Sequence, residues 1–215
     1  MTVAAKICGI KDPVAMQTAI DGGAAYVGLV FYPQSPRAVT PGTAAKLAAL
    51  VPEGVTKVGL FVDADNAQIA RVLEEVSLDM LQLHGNETPE RCTDIRNRFG
   101  RPVMKVIKVA TLDDVNSAND YCDLVDWLMF DAKPPSSMTN ALPGGNAVQF
   151  DWTLLAGWNW PVPWMLAGGL VADNVAEAVS RSGAAVVDVS SGVESAPGKK
   201  DPAEITRFLA AVAEL

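Results

Sequence analysis

Histidine is almost absent from this chain: His84 is the only one, beside three cysteines, Cys8, Cys92 and Cys122. A single imidazole leaves little room for a His-based metal site or a hydrolytic triad, so no metal is expected. Three scattered thiols without a C-x-x-C spacing give neither a disulfide frame nor structural zinc, and they suit a reducing cytoplasm. Positive charge is also scarce. The 17 Lys and Arg are outnumbered by 25 Asp and Glu, for a net charge of −8. No basic patch is dense enough to grip a phosphate backbone, so nucleic acid is not an expected partner. An anionic small-molecule substrate would have to be held locally, by one or two Arg or Lys or by backbone N–H groups. No apolar run approaches the roughly 20 residues of a membrane span, and the opening MTVAAKICGI lacks the layout of a signal peptide. Apolar residues are not scarce. They make up 49 % of 215 residues, enough to fill a core and to exclude intrinsic disorder. No linker-like shift in composition interrupts the chain, so residues 1–215 read as a single domain.

One pattern repeats along the sequence. A short β-branched run is followed by a small turn and then by a stretch of helical period. Strands are predicted near 3–9, 25–31, 55–62, 79–83, 102–109, 125–131, 162–167 and 184–190. Helices are predicted over 12–22, 41–50, 65–76, 88–98, 111–119, 151–156, 172–182 and 202–214. Asp12-Pro13, Thr88-Pro89 and Asp201-Pro202 are N-cap and first-turn pairs, and Gly22-Gly23 and Gly183 close helices. Strict alternation forces a parallel sheet. Eight units, with no Gly-x-Gly-x-x-Gly after the first strand, favour an α/β fold closed into a (β/α)₈ TIM barrel. The unit at 151–160 is the weakest. One long loop, 132–150, follows the sixth strand, and loops of that length in a compact domain are usually functional or mobile.

Barrel active sites lie at the C-terminal ends of the strands. Gly168-Gly169 after the seventh strand and Ser190-Ser191-Gly192 after the eighth offer backbone N–H groups to a phosphate, although each alone also suits an ordinary turn. Gly192 to Lys200 resembles a Walker loop but is one residue too long and lacks the Ser or Thr after Lys. Cys8 shares a strand face with Lys6 and lies at the active end, where a thiolate could take a proton; Cys92 and Cys122 read as buried hydrophobes. Asp131 ends an apolar strand and needs a partner or a function. Cys8 and Asp131, on the first and sixth strands, would face one cavity as base and acid. Arg37, in a loop, suits a carboxylate, while His84 and Asp188 read as supporting residues behind the reacting groups. The run Trp158 to Trp164 reads as packing at the far end, or as a subunit contact.

The strand ends KICGI (6–10), GLVFYPQSPRAV (28–39), LQLHG (81–85), LMFDA (128–132), GGN…FDW (144–152), LAGGL (166–170) and DVSSGVESAPGKKD (188–201) together resemble the phosphoribosylanthranilate isomerase family of tryptophan biosynthesis. The resemblance implies an Amadori rearrangement of N-(5-phosphoribosyl)anthranilate to 1-(2-carboxyphenylamino)-1-deoxyribulose 5-phosphate, without cofactor or metal. It implies Cys8 as general base, Asp131 as general acid, Arg37 on the anthranilate carboxylate, and phosphate around Gly169, Ser190 and Ser191. The sequence leaves monomer and homodimer open. The base needs a lowered thiol pKa, for which Lys6 and a helix N-terminus are both candidate causes. Another phosphate-binding barrel, such as indole-glycerol-phosphate synthase, or a catalytically silent one, are the alternatives. The first would need a Lys and Glu set not found here, and the second would need neither Cys8 nor Asp131. One departure stands out: Ala147 occupies a loop position where the family pattern has Gly, and Ala resists positive φ.

Overall fold

The computed structural model describes residues 2–139 and 141–215. Eight parallel strands close on themselves in chain order: β1 (Ala4–Cys8), β2 (Tyr26–Val30), β3 (Thr56–Phe61), β4 (Met80–Leu83), β5 (Val103–Val109), β6 (Trp127–Ala132), β7 (Trp164–Leu166) and β8 (Val186–Val189). The ring is sealed by β1 against β8, with Lys6 beside Asp188. Helices α1 (Pro13–Asp21), α2 (Pro41–Ala48), α3 (Asn66–Glu75), α4 (Pro89–Phe99), α5 (Leu112–Asn116), α6 (Val175–Ser182) and α7 (Pro202–Ala213) surround it. The expected caps are in place. Asp12, Thr88 and Asp201 each accept a backbone N–H at a helix start, and Gly183 closes α6 in the left-handed region at φ 77°.

Two predicted helices are shorter than their sequence pattern. The stretch 111–119 divides into α5 and a 3₁₀ turn, Ser117–Asp120. The predicted helix 151–156 is only a 3₁₀ turn, Trp152–Leu155, so among the described residues the unit between β6 and β7 has no α-helix. Its backbone is turned by Gly157 at φ 78° before it can continue. The Trp residues that follow pack inward. Trp158 and Trp160 stack at 4.7 Å, and Trp160 and Trp164 both lie against Phe130. A small feature not predicted is the antiparallel hairpin of β9 (Glu194–Ala196) and β10 (Lys199–Lys200) after β8.

Period-two alternation divides the strands between two cores. Outward residues pack under the helices. Inward ones, Val58, Met80, Met104, Val106, Met129, Met165, Ala167 and Val186, fill the barrel. The same alternation continued toward the C-terminal ends points Cys8, Val30, Leu60, His84, Asp131 and Ser190 at the mouth. Lys6, Gly28, Gln82 and Asp188 lie one layer beneath. No helix among the described residues is long and apolar enough to cross a membrane.

Candidate active site

One cavity at the barrel mouth is lined by Cys8, Arg37, His84, Asp131, Gly168, Gly169, Ser190, Ser191, Gly192 and Asp188, together with the loop segment Gly144–Val148. The candidate catalytic, carboxylate-binding, phosphate-binding and supporting residues named from sequence therefore meet in one place. Cys8 and Asp131 are three strands apart around the ring, by way of β8 and β7.

Cys8 is buried, and β2 makes room for it. A Cβ on Gly28 would lie 2.8 Å from its Sγ. Directly beneath, Lys6 is wholly buried and donates to Asp188 Oδ1 at 2.7 Å. An ammonium at 0 % exposure persists only when paired in this way. Burial pushes the Cys8 thiol up, and Asp188 adds to this, while Lys6 and Lys200 work against it. The lowered thiol pKa expected from sequence is thus not a property of the protein alone: desolvation of the thiolate outweighs the two ammonium groups. Burial works to lower Lys6, but Asp188 and Cys8 hold it above its usual range.

Asp131 is buried and held at both oxygens. Its Oδ1 accepts the N–H of Ala132 at 2.9 Å, and its Oδ2 lies 3.1 Å from His84 Nε2. His84 Nδ1 in turn lies 3.2 Å from Gln82 Nε2, while Gln82 Oε1 is buried without a partner. The loop carrying His84 is fixed from below. Lys105 donates to Gly85 O at 2.9 Å and to Glu87 Oε2 at 2.7 Å, and Glu87 also takes the N–H groups of Asp63 and Gly85. Neither Gln82 nor this buried ion pair was foreseen, because each is defined by cross-strand contact.

Arg37 is not a free loop charge. It is 5 % exposed, with Nε donating to Glu194 Oε1 at 2.8 Å and Nη2 to Glu194 Oε2 at 2.9 Å. Nη2 also reaches Gly145 O at 3.2 Å, leaving the two Nη1 protons. Glu194 is joined by Lys200 Nζ at 3.0 Å. Burial alone would raise the Glu194 carboxyl, but Arg37 and Lys200 hold it below the usual carboxylate range. Burial lowers Lys200, against the pull of Glu194.

At the opposite rim, Gly168 and Gly169 have φ of 96° and 63°, a backbone shape that other residues resist. The N–H groups of Gly169, Ser191 and Gly192 make no hydrogen bond with other described residues. The Ser190 hydroxyl is already engaged: it donates to Cys8 O at 3.1 Å and meets Lys200 Nζ at 3.3 Å. Across the mouth, Gly144 packs so tightly that a Cβ would lie 2.5 Å from His84 and 2.8 Å from Asp131 Oδ2. A Cβ on Gly145 would lie 2.5 Å from Arg37 Nη1. Ala147 does adopt the left-handed backbone, at φ 55°. Among the described residues no group of three or more His, Cys, Asp and Glu is gathered as a metal ion would need.

The family profile described as "N-(5'phosphoribosyl)anthranilate (PRA) isomerase" matches residues 5–211. The N-(5'-phosphoribosyl)anthranilate isomerase of Paramagnetospirillum magneticum is 59 % identical over 98 % of this chain and 97 % of its own. The crystal structure of phosphoribosyl anthranilate isomerase from Thermotoga maritima superimposes with a TM-score of 0.88 at 34 % identity over the whole of both chains. A second phosphoribosyl anthranilate isomerase structure, in complex with reduced 1-(o-carboxyphenylamino)-1-deoxyribulose 5-phosphate, gives 0.84 at 32 % identity, again over both whole chains. With a closed eightfold barrel, a mouth that gathers a thiol, a carboxyl and a guanidinium, and this degree of likeness over nearly its full length, the chain belongs to the N-(5'-phosphoribosyl)anthranilate isomerase family.

Proposed function

We propose that Cys8 and Asp131 are the base and the acid with which this chain carries out the isomerase reaction of its family in tryptophan biosynthesis. The observation that carries the reading is their placement on one cavity, between a guanidinium with unused Nη1 protons and two loops with unused N–H groups. Arg37 takes the anthranilate carboxylate, and the loops after β7 and β8 take the phosphate. The reacting carbons are then held between the thiol and the carboxyl.

Asp131 in its acid form gives a proton to the furanose ring oxygen. The C1′–O bond breaks, and the nitrogen lone pair forms the C=N⁺ of an open-chain Schiff base. Cys8 takes the C2′ proton, and the electrons of that C–H bond move to neutralise the nitrogen. The resulting enolamine tautomerises to the ketone. The raised thiol fits this order of events. A thiolate that is costly in the free protein, formed when the thiol gives its proton to solvent, is a stronger base than a solvated one.

A structure with the product bound tests this assignment. The phosphate is expected against the N–H groups of Gly169, Ser191 and Gly192, and the carboxylate on Arg37. An anion bound elsewhere with those groups unused would overturn it. Gly169→Val adds a Cβ at positive φ that would lie 2.7 Å from Gln149 and 2.8 Å from Val148 O. It is expected to raise KM by about tenfold or more by blocking backbone approach. An unchanged KM places the phosphate elsewhere.

Ala147 adds a smaller expectation. Holding a left-handed Ala costs roughly 1–2 kcal/mol, in a loop that lies over Arg37, His84 and Asp131. Ala147→Gly removes this cost from the covered form and is expected to lower KM by about two- to fivefold. Steady-state kinetics check it, and an equal or higher KM would mean that the strain does not oppose loop closure.

A further inference from the structure

Glu194 and Lys200 lie outside the cavity lining, yet they contact its most important cation and one of its anion-binding loops. The side chains of both are buried, and both belong to the β9–β10 hairpin, whose strands are joined by Pro197-Gly198. The hairpin is seated against the β2 loop: a Cβ on Gly198 would press on the Pro36 carbonyl. Lys11 Nζ donates to the same carbonyl at 2.8 Å. Glu194 therefore reaches Arg37 from a frame anchored next to Arg37 in sequence.

Four donors converge on the Glu194 carboxylate. Arg37 supplies Nε and Nη2, Lys200 supplies Nζ to Oε1, and the Gly198 N–H reaches Oε2 at 3.2 Å. The carboxylate has no freedom left to rotate. A bidentate pair fixes the plane of a guanidinium as well as its position. The plane that results places Nη1 beside Gly145, at the mouth. Lys200 also donates to Ser190 O at 2.7 Å, so the frame extends to the strand end that carries the anion-binding loop.

We propose that Glu194 is the positioning residue of Arg37: it sets the rotation of the guanidinium so that its Nη1 edge meets the substrate carboxylate. The proposal rests on the reading of Arg37 as the carboxylate ligand. An arginine left to itself would sample many rotamers, and part of the binding free energy would go into ordering it. Glu194 removes that cost before substrate arrives. It touches neither the substrate nor the reacting atoms, so its effect belongs in KM.

The test is a double-mutant cycle on Arg37→Ala and Glu194→Gln, read as kcat and KM, with inhibition by inorganic phosphate as an independent probe of the other end of the site. Arg37→Ala is expected to lower kcat/KM by about ten- to a hundredfold. Glu194→Gln keeps the shape but loses the charge. It is expected to raise KM by about tenfold, with kcat within a factor of about two and the phosphate inhibition constant unchanged. In the Arg37→Ala background the same change is expected to have no further effect on KM, because the positioning route runs through Arg37. Equal losses from Glu194→Gln in both backgrounds, or a parallel loss of phosphate inhibition, would overturn positioning. Wild-type kcat/KM in Arg37→Ala would instead overturn the carboxylate reading, and the proposal with it. Should Glu194→Gln not fold, Glu194→Asp keeps the charge and shortens the reach. It is expected to show the same confinement to KM at smaller size, and a loss in kcat instead would count against the proposal.

Discussion

A Cys8→Ser variant is expected to fold as the wild type does and to lose on the order of 10²–10⁴ in kcat, with KM changed only a few-fold. The side chain sits in a slot cut for it by Gly28, and a smaller hydroxyl enters without pressing on any neighbour. What changes is the chemistry. A serine hydroxyl in this buried place has no accessible anion near neutral pH. The thiol is itself pushed up by burial, and Lys6 and Lys200 return part of that cost. In the free protein, thiolate absorbance or alkylation followed against pH should therefore place Cys8 ionisation above the usual thiol value of about 8.5. Product binding at the Arg37 and loop ends should survive the substitution, because neither end touches the thiol. Wild-type kcat in a normally folded Cys8→Ser protein would remove Cys8 from the reaction.

The sequence exposes the pieces of this site more readily than their partners. Strand ends fall close to their expected positions because Gly and Pro punctuate the chain, and period two then puts Cys8, His84 and Asp131 on the inner face. Resemblance over the strand-end motifs names the family that the profile and relatives show. Contacts that cross the barrel are different. Glu194 lies in a stretch that matches a family motif and fails as a Walker loop, and nothing local marks it as the partner of Arg37, 157 residues earlier. The Lys6–Asp188 pair is half legible: each residue draws attention in the sequence, but nothing marks the two as a pair 182 residues apart. The predicted helix at 151–156 fails for a local reason: Gly157 turns the backbone into the left-handed region at φ 78° and stops the turn after Leu155. Ala147 shows the reverse. A single residue out of pattern marked a strained backbone, and the backbone is left-handed there.

Asp131→Asn is expected to lower kcat by on the order of 10²–10⁴, again with KM little altered and the fold intact. The amide is the same size as the carboxyl, and its oxygen can keep the bond from Ala132 N–H, which is 2.9 Å long. It has no proton to release to a ring oxygen. As the proposed acid, Asp131 would need a neighbour that serves it both with and without its proton. With Gln82 Nε2 toward His84 Nδ1, the ring carries its proton on Nε2 and donates it to the carboxylate. A half-turn of the Gln82 amide would put Oε1 against an Nδ1–H instead, leaving Nε2 to accept from the acid form. Gln82 Oε1 has no hydrogen bond to lose, and the turn gives up only the weak Nε2 contact with Met129 Sδ at 3.5 Å. The same His84 can thus hold Asp131 before and after proton transfer, which a fixed cation at that place could not do. With Cys8 and Asp131 as the proposed base and acid on one substrate, the kcat–pH profile should be a bell with macroscopic limbs that belong to the pair. In Asp131→Asn the carboxyl no longer titrates, so one limb should vanish and leave the dependence on the thiol alone. A variant that keeps wild-type kcat, or a bell with both limbs in place, would show that the proton reaches the ring oxygen from another group.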